Sequence, residues 1–110
     1  MSSVDRTEQV VARTAAEWET LWRRHAPGRT APSVDFARSM VVAVFLGTRP
    51  SGGYAAQITG ARIEAGVMVV RWAEVAPAPG QMAAQVMTAP SFLATVPRHT
   101  GQVRFEKVGQ

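Results

Sequence analysis

The sequence predicts a mainly β domain: an antiparallel β-sandwich or partly open barrel with one N-terminal amphipathic helix packed on it. Three observations carry that expectation. Short runs rich in Val, Ile, Phe and Thr recur between Gly and Pro clusters, the signature of strands and turns. Only residues 15–26 space their bulky apolar side chains at a helical period. With 110 residues, 46% apolar and 18% charged, the chain most simply forms one domain, residues 1–110, with a core that needs no metal or disulfide.

Residues 6–13 alternate weakly and predict a short edge strand. In the helix that follows, Thr14-Ala15-Ala16-Glu17 has the spacing of a capping box: the Thr14 hydroxyl accepts from a first-turn amide while Glu17 reaches back. Trp18, Leu21, Trp22 and His25 then share one face, and Pro27-Gly28 ends the helix. Core packing explains this heavy stripe better than a partner-binding face does, since large apolar residues on one helix face usually bury against their own sheet. His25, at the helix C-terminus, is expected as an imidazolium facing the negative end of the helix dipole.

Residues 27–39 are turn-rich and expected to pin themselves down through Val34 and Phe36. Residues 40–46 are apolar on both strand faces, so they predict a central strand covered by the helix on one side and by opposing strands on the other. A return strand begins at Tyr54, with Gly60 marking a bulge. Glu64-Ala65-Gly66 is a turn, and residues 67–75 form the next strand, completing an expected antiparallel meander. Ala76-Pro77-Ala78-Pro79-Gly80 reads as a semi-rigid extended loop. Residues 81–88 fit either period and are read as strand. Residues 91–96 and 102–108 supply two more strands, the second with Val103 and Phe105 inward.

Charge excludes more than it suggests. The formal charge of +4 looks modest beside an isoelectric point of about 11.1. Eleven of the twelve basic residues are Arg, which do not titrate below pH 11, so a small excess gives an extreme value. The arginines are scattered with no run longer than Arg23-Arg24, whereas a nucleic-acid footprint clusters them; no nucleic-acid partner is expected. The absence of Cys excludes disulfides and thiolate metal sites. No segment has the apolar length of a membrane span, and residues 1–8 lack a signal-peptide core, so the expectation is a soluble chain, cytoplasmic as written or exported if a leader was removed.

No catalytic constellation stands out. A hydrolase could pair Ser51 with His25 or His99 and Asp35, but Ser51 lacks the strand-to-helix elbow that exposes a nucleophile. The two histidines lie far apart among scattered acids, so neither a metal nor another cofactor is expected. The most distinctive stretch is Gly47-Thr48-Arg49-Pro50-Ser51-Gly52-Gly53-Tyr54, an exposed loop delivered by the apolar strand before it. It lacks the Lys-Ser/Thr of a phosphate-binding P-loop, and a strand rather than a helix follows. It is either a hairpin turn needing positive φ or a binding loop, and it is longer than a bare turn requires.

That loop, with Pro77-Ala78-Pro79-Gly80-Gln81-Met82 and Thr88-Ala89-Pro90, resembles the C-terminal domain of the protease complex subunit PrcB family over about residues 40–97. Ser51 stands where the family pattern usually has Thr. The helix of Trp18, Leu21, Trp22 and His25, with Val34-Asp35-Phe36, also resembles the region that commonly precedes that domain. The resemblance implies a non-catalytic subunit that associates with and stabilises a secreted serine protease. The loop is further similar in its chemistry to the Thr-Gly-Tyr loop of chagasin-like cysteine-protease inhibitors. The expected function is therefore a non-enzymatic domain that binds a protein partner through Arg49, Pro50, Ser51, Gly52, Gly53 and Tyr54. In that reading Arg49 pairs with a partner carboxylate and Tyr54 serves as an amphipathic anchor. The alternative is a small hydrolase-like or ligand-binding domain using Ser51 and a histidine.

Overall fold

The computed structural model describes residues 2–109. Along the chain run β1 (Thr7–Ala12), α1 (Ala15–His25), β2 (Ser39–Leu46), β3 (Ala55–Glu64), β4 (Val67–Val75), β5 (Ser91–Pro97) and β6 (Val103–Lys107). They build two three-stranded sheets, ordered β1-β2-β5 and β3-β4-β6, with α1 on the outer face of the first. The mainly β class and the single N-terminal helix are as the sequence predicts.

The central strand explains this arrangement. Every residue of β2 from Met40 to Leu46 is buried, and alternate side chains serve different cores. Val41, Ala43 and Phe45 meet Trp18 and Leu21 of α1, whereas Met40, Val42, Val44 and Leu46 meet Met68, Val70, Ala56 and Trp72 of the second sheet. Each Val, Leu, Phe and Met side chain among them contributes about 1.5–3 kcal/mol when removed from water. Its two edges are occupied as well as its two faces, since β1 and β5 flank it in antiparallel register.

Four expectations are corrected here. β2 does not begin a meander: both its edges are occupied, so β3 crosses to the second sheet and pairs with β4 alone. The pairing is not wholly antiparallel, because the chain leaves the second sheet to form β5 and re-enters it with β6 parallel to β4. Residues 81–88 are not a strand. They have no ladder partner beyond a single bridge between Thr88 and Arg49, and no sheet covers Met82, Val86 or Met87. The loop before them is not extended throughout either, since Gln81 N donates to Ala78 O at 2.9 Å around Pro79 and Gly80 (φ 79°), as in a type II turn.

Local signals elsewhere work as read. Thr14 Oγ1 accepts from Glu17 N at 3.1 Å, while Glu17 reaches back one residue further than a standard capping box, to Arg13 N at 2.7 Å. The indole N–H groups of Trp18 and Trp22 donate to Pro32 O and Arg29 O, both at 2.9 Å, and Val34 and Phe36 join the helix-side core. The β3–β4 hairpin turns through Ala65 (φ 50°) and Gly66 (φ 80°), both left-handed as a two-residue type I′ loop requires. The bulge falls at Thr59-Gly60, where the register shifts opposite Arg71.

Candidate functional site

The glycine-rich loop is less exposed than the sequence suggests. Gly47 is buried, and Arg49, Ser51, Gly52 and Tyr54 are half-buried, leaving Thr48, Pro50 and Gly53 exposed. Packing against other segments accounts for this. At its entrance Gly47 has φ 77°, and a Cβ there would lie 2.8 Å from the backbone of Arg6 and Thr7, so only glycine fits. Thr48 N donates to Asp5 O at 3.3 Å, fixing the loop's start beside the N-terminal segment.

Beyond the entrance, the loop is bound to residues 77–88. Arg49 and Thr88 exchange backbone hydrogen bonds of 2.7 and 2.9 Å, and the Thr88 hydroxyl donates to Ser51 O at 2.9 Å. Gly52 N donates to Ala84 O at 2.9 Å. Gly53, with φ 88°, lies so close to Pro77 that a Cβ would stand 2.8 Å from its ring Cγ. The two segments therefore form one double-looped tip, from which Met82 projects at 95% exposure, Met87 at 68% and Val86 at 59%.

Arg49 is engaged within the chain. Its Nε and Nη2 donate to Glu74 Oε2 and Oε1 at 2.8 and 3.1 Å, a bidentate pair with side chains 24% and 18% exposed. Lys107 Nζ approaches Glu74 Oε1 at 3.6 Å and sits 5.3 Å from the Trp72 ring. The Arg49 hydrogen bond is the main reason the Glu74 carboxyl titrates below the usual carboxylate range. Arg49 thus makes its ion pair within the chain.

The residues weighed as a hydrolase remain apart in their bonding. Ser51 Oγ donates to Gly52 O at 3.0 Å; His25 Nδ1 meets Ser2 Oγ at 2.8 Å; His99 Nε2 meets Gly66 O at 3.1 Å; and Asp35 Oδ1 accepts from Ala37 N at 3.0 Å. His25 also corrects an expectation. Packed near Trp22 and Phe45, at ring distances of 5.2 and 5.9 Å, it is pushed below its ordinary pKa chiefly by burial, so at neutral pH it is an imidazole and not an imidazolium. Among the described residues, no three His, Asp or Glu side chains gather as a metal site would require. Among the described residues, no helix is long and apolar enough to cross a membrane.

Sequence reasoning missed Glu74 and Ala84, whose bonds to the loop span distances no local pattern reports. Thr88 was visible only as a motif residue. Its bridge to Arg49 gives that motif a physical cause, as the ring of Pro77 against Gly53 does for the Pro-x-Pro-Gly run.

The fold and tip define a helix-covered, two-sheet β domain that presents a braced double loop. The pattern of the PrcB C-terminal family matches residues 40–97, from β2 through β5, and the chain belongs to that family. No curated protein matches the chain, and no solved structure does.

Proposed function

We propose that this chain is a non-catalytic protein-binding domain, a protease-associated subunit that stabilises or inhibits its partner. Contact is made by the tip that combines Arg49, Pro50, Ser51, Gly52, Gly53 and Tyr54 with residues 77–88. One observation carries the proposal: a loop braced by backbone hydrogen bonds exposes Met82, Val86 and Met87 together with Pro50 and Gly53. Exposed apolar side chains on a fixed support mark interaction surfaces, and methionine adapts well to a partner's contour. Bracing also lowers the entropy lost on binding, because the loop is ordered beforehand. Family membership points to a protease as the partner.

The glycines have a supporting task in this scheme. Gly47 lets the loop approach the Arg6–Thr7 backbone and Gly53 lets it approach Pro77, and Arg49 locks the assembly to β4 through Glu74.

The test exchanges Pro50-Ser51-Gly52-Gly53 for an unrelated loop of equal length and compares capture of proteases from the native cell, identified by mass spectrometry. Amide-exchange protection of β2 verifies folding. A protease retained by the native chain and lost by a folded exchange variant supports the reading. Equal retention by both rules the loop out.

A further inference from the structure

Among the described residues, four sheet edges lack a hydrogen-bonded neighbour: β1 and β5 in one sheet, β3 and β6 in the other. Folded proteins usually protect such edges with charged side chains. β1 carries Glu8, β3 carries Arg62 and Glu64, and β6 carries Arg104, Glu106 and Lys107. β5, Ser-Phe-Leu-Ala-Thr-Val-Pro, carries none.

The phase of the β2–β5 ladder fixes which backbone groups of β5 are free. Leu46 N donates to Pro90 O, and Arg98 N donates to Arg38 O, at opposite ends of one uninterrupted register. Phe92, Ala94 and Val96 therefore turn their N–H and C=O groups towards β2, whereas Ser91, Leu93 and Thr95 turn theirs outwards. Neither Leu93 nor Thr95 has a backbone partner on that side among the described residues. Beside this edge lies an open cleft of roughly 230 Å³ lined chiefly by Trp18, Trp22, Pro32, Val34, Val41 and Leu93. At its Pro97 end stand two exposed cations, Arg98 and Arg38, the latter with its Nε 3.9 Å from Asp35 Oδ2.

We propose that the β5 edge takes an extended peptide segment of a protein partner as an added antiparallel strand. Its alternate apolar side chains enter the Trp18/Trp22 cleft, and an acidic residue at its N-terminal end faces Arg38 and Arg98. The unpaired backbone row specifies an extended chain, the cleft specifies apolar residues at every second position, and the arginines specify an acid where an antiparallel segment begins. Pro97, lacking an N–H, ends the donor row there. This inference does not rest on the tip reading, and its test leaves the tip untouched.

The probe is the amidated peptide Asp-Val-Thr-Val-Thr-Val, titrated into the full chain while backbone amide and indole signals are followed by NMR. Saturable shifts at Leu93, Thr95 and the Trp18 and Trp22 indoles are expected below about 1 mM peptide. N-methylation of one alternating set of peptide amides should weaken binding at least tenfold, and of the other set hardly at all, because only one set faces β5. Thr95→Pro removes an outward donor without touching the β2 ladder and should weaken binding tenfold or more. Thr95→Lys, which keeps the donor but charges the edge, serves if the proline variant does not fold. Replacing Asp by Lys in the peptide should weaken binding severalfold. Equal effects of the two N-methylated forms, shifts confined to other strands, or no binding at that concentration would overturn the proposal. So would concentration-dependent shifts at Leu93 and Thr95 without peptide, which would assign the edge to a second copy of the chain.

Discussion

Arg49 and Glu74, 25 residues apart, close a two-point ion pair of 2.8 and 3.1 Å that fastens the glycine-rich loop to β4. Backbone bonds hold the loop to residues 77–88, but this pair is the side-chain link from the loop to the sheet. The shielding is only partial, so the pair is worth about 1 kcal/mol. Glu74→Gln should lower stability by that amount at pH 7. The Glu74 carboxyl titrates below its ordinary 4.5 in the folded chain because Arg49 stabilises the anion. The pair's contribution is therefore complete above pH 4.5 and disappears as pH falls through the lower folded value. Urea unfolding at pH 7 and pH 3 should show a smaller acid loss for Glu74→Gln than for the native chain; equal losses would mean the pair stabilises nothing.

The glycines offer a graded series. Gly28, Gly53 and Gly47 all have left-handed φ, at 81°, 88° and 77°. Around Gly28 there is open space, so Gly28→Ala should cost only the conformational strain, about 1 kcal/mol. Gly53→Ala adds a contact with the Pro77 ring, which can shift, and should cost about 2 kcal/mol. Gly47→Ala drives a methyl into the Arg6 and Thr7 backbone and should cost about 3 kcal/mol or more. Denaturant midpoints should fall in that order. A Gly47→Ala chain as stable as Gly28→Ala would refute the close approach.

Local patterns made most elements legible. The capping spacing at Thr14 and Glu17, the stripe of Trp18 and Leu21, the two-faced burial of β2 and the turn at Ala65-Gly66 each follow from neighbours in sequence. Strand partners do not. An alternating strand such as β6 reads identically whether it lies parallel or antiparallel to β4, and nothing near Leu46 says that both edges of β2 are taken. Residues 81–88 mislead for a related reason, because Met82, Val86 and Met87 look like core residues until the tip is seen to leave them uncovered. The loop's position was legible from its glycines, but its bracing by Glu74, Ala84 and Thr88 depends on pairings remote in sequence.

His25 makes the N-terminal segment sensitive to mild acid. Its ring accepts or donates at Ser2 Oγ, and its carbonyl accepts from Ser3 N at 2.9 Å. Burial holds its folded pKa below the ordinary 6.5, so the unfolded chain takes up a proton first as pH falls. Stability should be full above pH 6.5, decline as pH drops towards the lower folded value, and level off once both states are protonated. His25→Gln should lose this dependence. Thermal melts between pH 7.5 and 5 check it, and an unchanged slope in the variant would place the titration elsewhere.

The tip separates stability from binding more sharply than the glycines can. Met82 and Met87 are 95% and 68% exposed, so replacing both with Ser removes little buried area and should change stability by no more than about 0.5 kcal/mol. If the tip grips a protease, the same double variant loses its central apolar contacts and should bind that partner at least tenfold more weakly, since a few apolar anchors dominate such interfaces. Gly47→Ala would reduce binding too, but by unfolding the support, with a matching loss in the denaturant midpoint. The two variants together thus distinguish a surface that touches the partner from a scaffold that merely shapes it. Undiminished protease capture by Met82→Ser/Met87→Ser, with an unchanged midpoint, would take the apolar tip out of the interface.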